Sequence, residues 1–130
     1  DRVHFAGFQS DITSFLAASD VFLLTSKSEG MPAVIIEAGV VGLPSVAYDV
    51  GGVKEIIEPE TGIIVPPNNY NEFKAAVISL LKNPEKRKIM GAKANIQYSK
   101  HFNLDNTVKK YETLLFKLLS EKVNRENASS

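Results

Sequence analysis

Four short runs, Val3–Phe5, Val21–Leu24, Ser45–Ala47 and Ile63–Val65, set the strongest limit on the fold. They have strand length and are mostly apolar, Val21–Leu24 continuously so. A strand with one wet face alternates apolar and polar residues, whereas a continuous run reads as a strand buried on both faces. Helix signals separate the runs. Ser10 or Asp11 can cap a helix carrying Ile12, Phe15 and Leu16. Pro32 suits the first position of a helix reaching about Val41, where Gly42 stops it. Gly51-Gly52 is a turn signal, and Val53–Ile57 can form a short helix. Doubly buried strands alternating with helices imply parallel pairing. The predicted fold is therefore α/β, a doubly wound parallel sheet of about four strands, a partial Rossmann-like domain.

The rest reads as helices. Phe73, Ala76, Val77, Leu80 and Leu81 fall on one helical face. Asn83-Pro84-Glu85 combines a cap, a first-turn proline and a first-turn acid, so a new helix starts there. A last helix is predicted from about Asp105 to Lys122, with Val108, Tyr111, Leu114, Leu115, Leu118 and Leu119 on one side. The tail from residue 123 reads as a solvated, frayed end.

Composition removes several functions. The 130 residues, 44% hydrophobic, suit one domain with a real core. With no cysteine, a disulfide scaffold, a thiolate metal site and a cysteine nucleophile are excluded. The two histidines, His4 and His101, are far apart, which argues against a zinc site. Fifteen basic and fifteen acidic side chains cancel, so nothing in the overall charge points to nucleic acid. The balance hides a split. Residues 1–69 hold three basic and nine acidic side chains; residues 70–130 hold twelve and six. The lysines of the helical half read as a solvated face, with a membrane surface or an acidic partner as the alternative. No apolar run has the length of a membrane span, and the N-terminus lacks the regions of a signal peptide. A cytoplasmic location, at most peripheral to a membrane, is expected. The chain opens on an apolar segment without an initiator Met and is expected to be part of something longer.

One segment carries chemistry: Ser26-Lys27-Ser28-Glu29-Gly30-Met31-Pro32 and the helix behind it. It lies between the C-terminal end of a strand and the next helix, where doubly wound folds bind ligands. Gly30 lets a ligand approach the backbone, and the N–H groups around Pro32 make a ready anion site. Glu37 is the odd residue in an otherwise apolar helix from Ala33 to Val41, and is expected to be largely buried. A buried carboxylate needs donors, which two ribose hydroxyls would supply. It lies five residues past Pro32, about 7.5 Å along the axis. Phosphates at the helix start and a ribose beside Glu37 fit that spacing, with a sugar towards Glu29. Equally, Glu37 can pair with a lysine or a backbone N–H, and Glu29-Gly30 can be only a tight turn. No Gly-x-Gly-x-x-Gly signature and no Walker lysine loop is present, which lowers NAD and ATP readings.

Glu29-Gly30-Met31-Pro32, four residues, then Glu37-Ala38 resembles the paired-glutamate motif of retaining glycosyltransferases of the GT-B fold. Val3–Gly7, Ala18–Ser26, Gly42–Ala47, Gly51–Ile57 and Gly62–Pro67 resemble further segments of that family, in its order. The similarity spans roughly residues 3–120 and identifies the chain as a member of glycosyl transferases group 1, in the C-terminal, donor-binding domain.

The resemblance implies transfer of a sugar from a nucleoside diphosphate to an acceptor hydroxyl, retaining anomeric configuration, by a hexosyltransferase-type enzyme. It implies no metal and no cofactor beyond the nucleotide-sugar substrate. Glu29, the catalytic candidate, would hold hydroxyls of the transferred sugar, and Glu37 the ribose. Backbone N–H groups at Gly30, Met31 and Ala33 would face the sugar and diphosphate. Gly7, Phe8 and Gln9 correspond to the nucleobase region, although Phe8 reads equally as a packed aromatic, and Ser26 as a cap or packing residue. Residues 1–122 would be part of the donor domain. The N-terminal acceptor domain and the family's diphosphate-binding Arg and Lys would lie upstream, so this chain is expected to be inactive alone. The acceptor would be a glycan or lipid, and no nucleic acid is expected. Thr25 and Phe102-Asn103-Leu104 depart from the family's usual proline and Phe-Ser-Trp, which leaves the contact made by the last helix open. A non-catalytic nucleotide-sugar module and a sugar-nucleotide epimerase remain the alternatives.

Overall fold

The computed structural model describes residues 2–128, with Val123 and residues 125–128 described by backbone alone. Three parallel strands form one open sheet in the order β1 (Phe22–Leu24), β2 (Ser45–Tyr48), β3 (Gly62–Val65). Phe22 lies opposite Ser45, and Ser45 opposite Gly62. The elements α1 (Thr13–Ala17), α2 (Ala33–Val40), α3 (Tyr70–Leu81), α4 (Pro84–His101) and α5 (Leu104–Ala128) complete the order, with a 3₁₀ turn at Gly51–Glu55. This is the predicted class: a partial Rossmann-like parallel sheet followed by C-terminal helices.

Val3–Phe5 is not a strand, so the sheet has three strands where about four are predicted. A strand exists only where a neighbour completes its ladder. Among the described residues none flanks this segment, and Phe5 is 96% exposed.

β2 is central, and all four of its residues are buried, as continuous apolarity requires. Val46 and Tyr48 point to one face, where Val65, Phe73, Ala76, Leu80 and Met90 complete a core against α3. Tyr48 and Phe73 pack ring to ring with centroids 4.7 Å apart. α2 follows β1, contacts β1 and β2, and joins α1 in a second cluster around Leu16, Ala38 and Leu43. Close helix contact comes from small residues. A side chain at Gly39 would overlap the Tyr98 ring, and one at Gly91 the carbonyl of Gly42. Asn95 adds a side-chain bond to the Val40 carbonyl.

The helix boundaries follow capping chemistry. Asp11 accepts from the Thr13 N–H at 2.8 Å at the start of α1, and this bond holds its carboxyl below the usual carboxylate range. Asn69 accepts from the Glu72 N–H and donates to the Glu72 carboxylate, a reciprocal box that opens α3. Asn83 accepts from the Lys86 N–H at 2.9 Å, with Pro84 as the first residue of α4. Arg87 reaches back to the Leu80 and Leu81 carbonyls at 2.7 and 2.8 Å, closing α3, and pairs with Asp20 at 2.9 Å.

The chain divides into two compact units, residues 1–98 and 99–130. The first holds the sheet, α1 to α3 and most of α4. In the second, Asn103 caps α5 by accepting from the Asp105 N–H at 2.8 Å, and Asn106 donates to the Lys100 carbonyl at 2.8 Å. α5 has Val108, Tyr111, Leu114, Leu115, Leu118 and Leu119 at helical spacing, as predicted. It continues to Ala128, through much of the stretch read as tail, and residues 129–130 lie outside the described residues. Among the described residues no helix is long and apolar enough to cross a membrane.

Candidate donor site at the C-terminal edge of the sheet

β1 ends at Leu24, and residues 25–32 lead from its C-terminal end into α2. Parallel strands end there together, which places this loop beside the ends of β2 and β3. Pro32 is the N-cap and not the first helical residue: its ψ of 96° is extended, and helical geometry begins at Ala33. The Ile35 N–H returns to the Pro32 carbonyl at 3.1 Å. The N–H groups of Ala33 and Val34 have no intrahelical partner. Val34 joins the predicted donors because the helix starts one residue later than its proline suggests.

The loop is held by backbone. The Gly52 N–H donates to the Gly30 carbonyl at 2.8 Å. Gly51 has φ +52°, and a Cβ there would overlap the Glu29 carbonyl. A Cβ at Gly52 would overlap the carbonyl of Gly30. These two glycines are demanded by close approach and, at Gly51, by conformation as well. Gly30 differs. A Cβ there would meet nothing within 4 Å, so the protein's own packing does not demand a glycine.

Glu37 is exposed, against the expectation of burial. The buried stripe of α2 is Ile35, Ala38 and Gly39, which turns Ala33, Glu37 and Val40 outward together at i, i+4 and i+7. A mostly apolar helix still has a wet side when it lies on the margin of a sheet. Glu37 therefore lies on the same exposed side of α2 as Ala33, its first residue. Glu29 is half-buried, and Met31 is exposed.

The predicted residues from Glu29 to Glu37 thus lie together on one loop and one helix face. Gly7, Phe8 and Gln9 form an exposed segment ahead of α1, with Gly7 at φ +66° and Gln9 donating to the Ala6 carbonyl at 2.7 Å. Phe8 is 93% exposed and is not packed among the described residues. Among the described residues no hydrogen bond joins this segment to residues 29–37. His101 is exposed in the last turn of α4. Among the described residues no three metal-ligating side chains come together.

Sequence reasoning did not single out a pocket of about 640 Å³ over the strand ends. It lies between Thr25–Lys27, Tyr48, the Pro67-Asn68 turn and the first turns of α3. Its residues come from four separate segments, so no local motif marks it.

The model of the family described as Glycosyl transferases group 1 matches residues 1–97. N-acetyl-alpha-D-glucosaminyl L-malate synthase of Bacillus anthracis is 33% identical over 125 residues, which is 95% of this chain and 33% of that protein. Alr3699/HepE from Anabaena, solved in complex with UDP-glucose, superposes with a TM-score of 0.83 at 28% identity, covering 90% of this chain and 33% of that one. Sucrose-phosphate synthase from Thermosynechococcus elongatus does so at 0.77 and 27%, covering 85% and 28%. The chain spans about a third of the length of the first of these relatives. With the family's model covering the sheet, α1 to α3 and most of α4, the chain belongs to the glycosyl transferases group 1 family, as a glycosyltransferase domain of GT-B type.

Proposed function

We propose that this chain is the donor-binding part of a retaining glycosyltransferase that uses a nucleoside-diphosphate sugar, with a UDP-sugar as the first choice. The observation that carries the reading is the shared open face of α2. Ala33 and Glu37 stand one turn apart on it, about 6 Å along the axis, next to the fixed Glu29-Gly30 loop. That is the span from a diphosphate to its ribose. Glu37 accepts the ribose hydroxyls. The N–H groups of Gly30, Met31 and Ala33 face the diphosphate, where a helix start stabilises the charge that grows on the leaving group. Glu29 accepts hydroxyls of the transferred sugar. Gly7, Phe8 and Gln9 form the nucleobase side. The complex of Alr3699/HepE with UDP-glucose supports the choice of donor.

In this reading the acceptor, a glycan or lipid hydroxyl, is presented by an N-terminal domain at or near a membrane surface. The bond from the anomeric carbon to the diphosphate oxygen breaks with its electron pair on the diphosphate, a bond to the acceptor oxygen forms on the same face, and the acceptor proton passes to the departing diphosphate. Calorimetry with UDP on the intact enzyme tests the assignment. Glu37→Ala is expected to weaken UDP binding by about tenfold or more, in line with charge-assisted hydrogen bonds. Glu29→Ala is expected to lower transfer far more than UDP affinity. Unchanged UDP affinity in Glu37→Ala would remove the ribose role. Inversion of the product's anomeric configuration, read by NMR, would remove retention.

A further inference from the structure

We propose that the pocket of about 640 Å³ over the ends of β1, β2 and β3 is a second ligand site, for a small phosphomonoester other than the nucleotide donor. It lies on the α3 side of the sheet, where Tyr48 and Phe73 pack against each other, whereas Glu37 stands on α2. Its charge runs against its surroundings. Residues 1–69 contain three cations and nine acids, yet one of those cations, Lys27, lines the pocket, and Lys74 of α3 joins it. Among the described residues no acidic side chain lines it. The acids near it in sequence are Glu29, Asp49 and Glu72. The Glu72 carboxylate is held by the Asn69 side chain at 2.7 Å, and Asp49 is exposed beyond Tyr48. Neither lysine forms an ion pair among the described residues.

The other walls define the ligand. Tyr48 and Phe73, each 8% exposed and packed against each other, close the bottom of the pocket with a small apolar area. Asn68, held at φ +64°, and Tyr70 add polar groups at the rim. A doubly charged phosphate matches two lysines, and its three oxygens can use the hydroxyl and amide donors around it. The volume falls within the range of small-molecule sites.

The test uses the intact chain, titrated with glucose 6-phosphate and followed by calorimetry and amide NMR shifts, with glucose as the neutral control. Glucose 6-phosphate is expected to bind, to shift amides at Asn68–Phe73, and to bind at least tenfold more weakly to the Lys27→Ala/Lys74→Ala double variant. The Lys27→Arg/Lys74→Arg variant is expected to retain binding, and circular dichroism checks both folds. Binding is expected to persist under saturating UDP and in Glu37→Ala, which separates this site from the donor site whether or not the donor assignment holds. Equal binding of glucose and glucose 6-phosphate, an unaffected double variant, or full displacement by UDP would each overturn the proposal.

Discussion

At Gly51 and Gly52 the absent side chain is the functional part. A methyl at either position overlaps a carbonyl of the facing loop, and backbone cannot rotate out of the way as a side chain can. Gly52→Ala is therefore expected to cost about 1–3 kcal/mol, measured by urea unfolding. Gly30→Ala, where a Cβ meets nothing within 4 Å, should leave stability within about 0.5 kcal/mol. Tyr98 carries a second residue-scale prediction. It is buried, and its hydroxyl lies 2.9 Å from the Thr61 hydroxyl. Burial raises the phenol above its ordinary value of 10.0; the Thr61 bond opposes this, and the charge of Glu58 adds to it. A value raised by folding contributes stability that is present in full below about pH 10 and is lost as the pH climbs through the folded value. Unfolding free energies measured from pH 8 to 11 should fall at the alkaline end, and fall less in Tyr98→Phe. Glu37 shows what spacing can and cannot say. A carboxylate among apolar residues stands out in the sequence, but its side depends on which face of α2 the sheet takes. Ile35, Ala38 and Gly39 took that face, and Glu37 was left outside.

Among the elements, the start of α4 was legible because its signal is local. A cap and its first turn sit within four residues, so Asn83-Pro84-Glu85 read directly as a start, and Asn69 acts in the same way at α3. Asn69→Ala is expected to cost about 1 kcal/mol, seen as a lower melting temperature, since it removes both bonds of the reciprocal box. Leu80→Ala, which empties a fully buried site between α3 and β2, should cost about 2–5 kcal/mol by the same measurement. What the sequence hid was non-local. Arg87 closes α3 from the following helix and ties it to Asp20, sixty-seven residues away. Val3–Phe5 has strand composition, yet a ladder needs a partner that composition cannot name. The phosphomonoester pocket gathers Lys27 and Lys74 through the turn of the sheet, and no window along the chain holds both.

For the whole molecule, the parallel pairing was readable from apolar strands alternating with helices, although only β2 is buried throughout and Leu23 in β1 is 45% exposed. The acidic first part and the basic helical part were readable as well, but their meaning was not. The pocket of about 640 Å³ over the strand ends draws a lysine from each side of that division. Residues 1–130 alone are expected to bind nucleotide without transferring sugar; multiple-turnover transfer by the isolated chain, assayed with a UDP-sugar and a glycan acceptor, would contradict this. The join between the two loops, Gly52 N–H to Gly30 carbonyl, has a consequence for how such a domain changes over time. Amide and carbonyl are the same in every residue, so the join takes no notice of which side chains flank it. The side chain of Met31, which already faces outward, is thus free to be exchanged while the loop keeps its place. A lineage can try new side chains at position 31 one substitution at a time, with Gly51 and Gly52 fixed as the anchor, and need not rebuild the fold to do so.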